Sequence, residues 1–230
     1  MLTKRSMEKE LIDLGPDYYT QDEYVHCMQQ LFRINKLLGF FHSTVKILKL
    51  FAEDSSLLDI GCGDGLFILN LNKHFPQMKM IGTDISVAAI DQAKTSLKNF
   101  QLSNSDIPVS FQLQEQVKLN FPKNSYDIIL TTLVCHHLTD EELIPFLQNA
   151  LETARQAVII NDLHRHTLAY GLYRIVSPFF RNRLITNDGL ISIRRSYKRS
   201  DWQRLLAQAG ITHYQLKWCF PFRWQLILWK

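Results

Sequence analysis

Residues Leu57-Leu58-Asp59-Ile60-Gly61-Cys62-Gly63-Asp64-Gly65 constrain this 230-residue chain more than any other stretch. Two apolar residues lead into a carboxylate, and then every second residue is glycine. Leu66, Leu69 and Phe75 follow at helical spacing. The run predicts a buried strand, a tight turn and a helix. Glycine lacks Cβ, so the backbone can turn sharply and approach a ligand closely. Such a turn at the carboxyl edge of a parallel sheet is where nucleotide-like cofactors bind.

The dinucleotide fingerprint G-x-G-x-x-G sets a pyrophosphate on the helix N-terminus. Here the third glycine, Gly65, comes one place early, and Leu66 holds the fingerprint position. Asp64 inside the turn would repel a pyrophosphate. A second acidic signal lies in Lys79-Met80-Ile81-Gly82-Thr83-Asp84-Ile85-Ser86, which reads as a strand ending in Asp84, 23 residues after Gly61. An acidic residue there hydrogen-bonds ribose hydroxyls. Bonds to a charged acceptor contribute about 1.5–3 kcal/mol each. Ser86 reads as the N-cap of the next helix. A glycine-rich turn without a ligand is the bland alternative, and the position of Asp84 argues against it.

The D-x-G-x-G-x-G spacing from Asp59 to Gly65 resembles the first motif of the class I S-adenosylmethionine-dependent methyltransferases. Their cofactor carries a sulfonium and an α-amino group, both positive, which suit a site containing carboxylates. The resemblance implies S-adenosyl-L-methionine as cofactor, held by Asp59, Gly61, Cys62, Gly63, Gly65, Asp84 and Ile85. Leu119 to Asp127 resembles the L-P-F-x-x-x-x-F-D run of the same superfamily. Gln114-Glu115-Gln116 stands where that superfamily has G-D-A. Glu115 would then lie beside the adenine amino group and the Gln116 backbone against the ring, with Leu133 completing the site at the end of the fourth strand.

The expected fold class is α/β: a seven-stranded Rossmann-like sheet, mostly parallel, with an antiparallel C-terminal hairpin and helices on both faces. Residues 1–52 read as an N-terminal helical cap. Thr20-Gln21-Asp22-Glu23 is a capping box, and Gly39 breaks the pattern that follows. Residues 53–230 read as the methyltransferase domain, and 162–199 as an inserted substrate-cap segment that begins with an apolar helix from Leu168 to Phe180. Thr139 and Glu142 form another capping box. No run of 18 apolar residues is present, and Met1 to Glu10 lacks an apolar signal core. Cys27, Cys62, Cys135 and Cys219 are scattered without a C-x-x-C pair, which points to reduced thiols in a cytoplasm and away from structural zinc.

Transfer of a methyl group to a phenol or hydroxyl needs the acceptor proton removed, and a histidine suits that at neutral pH. Val134-Cys135-His136-His137-Leu138-Thr139-Asp140-Glu141 resembles the C-H-D-W-S-D-E run of plant-type small-molecule O-methyltransferases, where the first histidine is the base. That makes His136 the leading base. His164 and His166, after the fifth strand, are alternatives. Both histidines of the first pair could equally be plain loop residues. No metal site is expected, because no carboxylate cluster accompanies these histidines at ligand spacing. Tyr18, Tyr19 and Arg33 are candidates for contact with the cofactor carboxylate or substrate.

Net charge is +4, yet Asn161 to Arg204 holds nine basic and three acidic residues. Apolar residues among those arginines favour a small lipophilic or aromatic acceptor, with peripheral membrane contact as a possibility. A solvated face is the plainer reading. Nucleic acid is disfavoured, since no N-P-P-Y or D-P-P-Y run is present. The chain resembles small-molecule methyltransferases of the ubiquinone and menaquinone biosynthesis type, and secondarily O-methyltransferases of phenolic natural products. O-methylation of a phenolic, quinol or polyketide-like acceptor is expected. Ring C-methylation and a non-catalytic cofactor-binding scaffold are the rivals, and the oligomeric state stays open.

Overall fold

The structure is a computed structural model that describes residues 2–102, 107–114 and 121–230. Seven strands form one sheet: β1 (Ser56–Ile60), β2 (Lys79–Asp84), β3 (Val109–Leu113), β4 (Tyr126–Thr132), β5 (Ala154–Leu163), β6 (Tyr214–Cys219) and β7 (Arg223–Trp229). Their order is β3-β2-β1-β4-β5-β7-β6. The first five run parallel, and β7 runs antiparallel to both β5 and β6. The expected seven-stranded α/β sheet with its antiparallel hairpin is therefore present.

Successive residues of a strand point to opposite faces. Leu58, Ile60, Ile129 and Val158 pack with α5 (Asp140–Thr153) and α8 (Arg199–Gln208). Their neighbours Leu57, Ile128, Leu130 and Ile159 pack on the other face with α2 (Phe40–Leu48), α3 (Leu66–Asn72) and α4 (Val87–Gln101). Both faces are covered, which is why β1 and β4 read as nearly continuous apolar runs. Each such buried side chain contributes about 1.5–3 kcal/mol.

The helix ends follow their sequence signals. Thr20 and Glu23 form the capping box of α1 (Gln21–Leu37), Ser86 caps α4, and Thr139 with Glu142 caps α5. Gly39, at φ 84°, separates α1 from α2.

The 162–199 segment holds two helices where the sequence suggested one. Helix α6 (Thr167–Val176) ends before Pro178 in a 3-10 turn, and α7 (Arg183–Arg195) follows with Asn182 as its N-cap. Gly189 and several β-branched residues weaken the helical signal of α7. The glycine is there for packing: a Cβ on it would lie 2.2 Å from the Tyr173 hydroxyl of α6. A third apolar cluster then joins Tyr19, Tyr24 and Cys27 to Leu184 and Ile185 of α7. Residues before the sheet and the segment after β5 are thus packed against each other.

Candidate active site

Between β1 and α3 the backbone takes positive φ at Gly61, Gly63 and Gly65. Two of these have neighbours that leave no room for a side chain. A Cβ on Gly61 would stand 2.3 Å from Val134, and one on Gly65 would stand 2.5 Å from the Phe111 ring. The turn is tied to β2, because the N–H groups of Gly61 and Cys62 donate to the Thr83 carbonyl. Gly63 N–H donates to one Asp84 oxygen (3.0 Å) and Ser86 N–H to the other (2.9 Å).

Three carboxylates surround this turn. Asp59 is buried, and its Oδ1 has no hydrogen-bond partner. Burial, reinforced by the charge of Asp84, pushes its carboxyl up to about 8. Burial lifts Asp64 to about 6 against the opposing Leu66 N–H bond, and it raises Asp84 as well. Three carboxyls held above their ordinary range suit a cationic group among them. The sulfonium and ammonium of S-adenosylmethionine are such groups, and a pyrophosphate is not. The residues present therefore fit that cofactor.

Ile85 is exposed beside Asp84, and Cys62 is buried with its thiol pushed well up by burial. Leu133 follows β4 with φ 60°, its N–H donating to the Asn161 carbonyl, next to the Val134 that packs on Gly61. Glu115 and Gln116 lie outside the described residues. Helix α1 adds parts that no motif signalled. Tyr24 is buried near Asp84 and Asp64, and Met28 Sδ is 3.6 Å from where a Gly63 Cβ would stand. Tyr19 stacks on Tyr24, whereas the Tyr18 side chain is exposed and Arg33 faces solvent.

At the carboxyl ends of β4 and β5 lies a second polar centre. Cys135–His137 forms a 3-10 turn that sets the two histidine rings 4.3 Å apart. His136 is buried. Its Nδ1 lies 2.7 Å from Asp162 Oδ1, and its Nε2 lies 3.5 Å from Glu10 Oε1. Burial depresses this imidazole, but the Asp162 and Glu10 carboxylates outweigh it and push it up to about 10. His137 Nδ1 lies 2.8 Å from Asp13, and its Nε2 lies 3.9 Å from Glu10 Oε2. Both ring nitrogens of His136 thus face carboxylates. Sequence reasoning had no means of finding Glu10 or Asp13, which reach the centre from the N-terminal segment.

His164 and His166 do not join this centre. His164 Nδ1 accepts from Trp218 Nε1 (3.3 Å), and its ring packs on Trp224. Burial, then the charge of His166, pushes it down to about 4. His166 Nδ1 accepts from Leu168 N–H, so this residue caps α6, and its ring stacks on Phe222.

The basic excess of the 162–199 segment and its flank is largely spent inside the protein. Arg165 pairs with Asp201, Arg183 with Glu23, Arg194 with Glu8, Arg195 with Asp13, and Arg204 with Asp140. Among the described residues no helix is long and apolar enough to cross a membrane.

A seven-stranded sheet of this order, with a glycine-rich turn after β1 and a carboxylate ending β2, defines the class I S-adenosylmethionine-dependent methyltransferases. Residues 57–157 match the family described as a methyltransferase domain, and the chain carries such a domain. An uncharacterized methyltransferase of Schizosaccharomyces pombe is 34% identical over 96 residues, which are 41% of this chain and 34% of that one. Malonyl-[acyl-carrier protein] O-methyltransferase 1 of Ilyobacter polytropus is 28% identical over 122 residues, 53% of this chain and 40% of that one. The chain thus spans about a third to two fifths of the length of these relatives. Among solved structures, the plantazolicin methyltransferase BpumL superposes with a TM-score of 0.69 at 19% identity, covering 94% of this chain and 90% of that one. Magnesium protoporphyrin IX methyltransferase from Synechocystis PCC 6803 gives 0.62 at 19% identity, covering 88% and 87%.

Proposed function

We propose that this protein methylates a hydroxyl oxygen of a small lipophilic or aromatic acceptor of phenolic, quinol or polyketide type. When bound, S-adenosylmethionine supplies an electrophilic methyl group on a cationic sulfur. In this reading Asp84 holds the ribose. Asp59 and Asp64 face the cationic part of the cofactor, and the N–H groups of the glycine turn stay tied to β2. Ile85 and Leu133 line the site, with Glu115 and Gln116 on the adenine side. The observation that carries the reading is the grouping of Asp59, Asp64 and Asp84 around a turn with no room for a side chain at Gly61 or Gly65.

The acceptor end is assigned to the carboxyl ends of β4 and β5, where ligands of open α/β sheets bind. His137, partly exposed and held at Nδ1 by Asp13, meets the acceptor hydroxyl in this reading, with His136, the histidine the sequence favoured as base, enclosed behind it between Asp162 and Glu10. His164 and His166 are kept as a secondary candidate pair at the same end of β5. Residues 1–52 and 162–199 act as the cap over this end, which supports a covered small-molecule pocket over an open groove. Leu168, Leu172, Ile175, Val176 and Phe179 are exposed at helical spacing on α6 and the turn after it. That face supports a lipophilic acceptor met at a membrane surface. Four free cysteines, three of them buried, support a reducing compartment.

Calorimetric titration with S-adenosylmethionine on wild type and Asp84→Ala tests the cofactor assignment. A tenfold or greater loss of affinity in the variant is expected; equal binding in both removes Asp84 from the site. A panel of phenols and quinols, with products read by NMR, then separates a methoxy product from a ring C-methyl product. Cofactor binding without any turnover on the panel would favour the scaffold reading.

A further inference from the structure

We propose that Glu10, His136 and His137 form a binding site for one divalent transition-metal ion. Among the described residues these three are the group whose ligand atoms converge, all within 4.8 Å of one another. Nitrogen and carboxylate ligands bind such ions at about 2.0–2.2 Å, which places two ligands of one ion roughly 3–4 Å apart. The two Nε2-to-Glu10 distances, 3.5 and 3.9 Å, lie in that range. They are also longer than a good hydrogen bond between the same atoms.

The surroundings match a metal centre beyond its ligands. Each histidine has its Nδ1 engaged by a carboxylate, Asp162 for His136 and Asp13 for His137. A metal-bound imidazole almost always has its other nitrogen held in this way, which fixes the ring and directs Nε2 at the ion. Those carboxylates are themselves fixed. Asp162 accepts from the N–H groups of His136 and Leu163, and Asp13 accepts from Arg195 and from Glu10 N–H. Glu10 Oε1 accepts from the Ser192 hydroxyl. Three carboxylates face the two rings and one is paired with Arg195, so two negative charges are left for a divalent ion. Glu10 and His136 are buried, and the half-exposed His137 ring gives a way in.

Two histidines and one carboxylate suit zinc, iron(II) or cobalt(II), and three protein ligands leave a position for an outside oxygen. Resting on the reading above, that oxygen is the acceptor hydroxyl, which a metal ion both orients and makes more acidic. The same ion ties the N-terminal segment to the loop after β4.

The test uses the full chain, stripped with a chelator, desalted and titrated with cobalt(II). One ion per chain is expected, with visible ligand-field bands of mixed nitrogen and oxygen ligation that disappear on adding zinc(II). Glu10→Gln and His137→Ala should each weaken binding at least tenfold, while the exposed His213→Ala leaves it unchanged. His136 is fully enclosed, so its variant is not used. Circular dichroism of each variant confirms that it is folded. Absence of saturable binding overturns the proposal and leaves the centre as two histidines hydrogen-bonded to carboxylates. Binding that survives in the Glu10→Gln, His137→Ala double variant also overturns it. S-adenosylmethionine titration of the stripped protein is read separately. Cofactor binding without metal binding removes this site alone, and metal binding without cofactor binding removes the cofactor reading alone.

Discussion

Asp59 and Asp64 carry carboxyls at about 8 and about 6, against roughly 3.9 for aspartate in an unfolded chain. Between the two values the folded protein keeps a proton that the unfolded chain has lost. Each group therefore favours the ligand-free fold at low pH, and that contribution is lost as pH rises, for Asp64 between about 4 and 6 and for Asp59 up to about 8. A cation bound among them favours the ionised form, so its affinity rises over the same window. S-adenosylmethionine affinity should climb from pH 5 to 8, and Asp64→Asn should flatten the lower part of that rise. Calorimetry across this range checks it, and a wild-type affinity that does not change with pH would refute the electrostatic account of the turn.

Within single elements, the glycine turn and the capping boxes were legible because each is a local contract between backbone and sequence. Gly61→Ala imposes a positive φ on a residue with Cβ and drives that Cβ into Val134. A loss of about 1–3 kcal/mol is expected, together with weakened cofactor binding. Adding Val134→Ala should return the steric part and leave the backbone part, a difference that denaturant melts of the single and double variants measure. Thr139→Ala removes the cap that accepts from Glu142 N–H, for about 1 kcal/mol, read as a Tm drop of roughly 2–4 °C. Helix α7 escaped the sequence reading because its glycine is dictated by Tyr173 on another helix, and no local pattern shows that.

Across the whole molecule, the N-terminal segment and α7 are joined by charge. Arg195 is buried, pairs with Asp13 and donates to the carbonyls of Glu8, His136 and His137. Arg5 bonds the His136 and Leu138 carbonyls from the other side, and its guanidinium lies over the Tyr197 ring. Arg195→Leu removes the guanidinium from Asp13, which keeps only His137 and the Glu10 N–H, and should cost about 3 kcal/mol. Thermal unfolding measures that loss, and one below about 1 kcal/mol would mean that the segment is held by its apolar contacts. The same pairing accounts for much of the net basic charge between Asn161 and Arg204. Summed along the sequence it looks like a cationic face. In the fold, five of those side chains meet carboxylates of the same chain.

The sequence by itself determined the strand-turn-helix at Asp59 to Gly65, the acidic end of β2, the caps and the order of alternating elements. These depend on backbone conformation and on apolar periodicity, both of which act over a few residues. Only the tertiary structure decided what surrounds His136. Glu10 stands 126 residues before it and Asp162 stands 26 after it, on separate elements. Their meeting depends on how the N-terminal segment and β5 pack around one loop, and no periodicity along the chain records it.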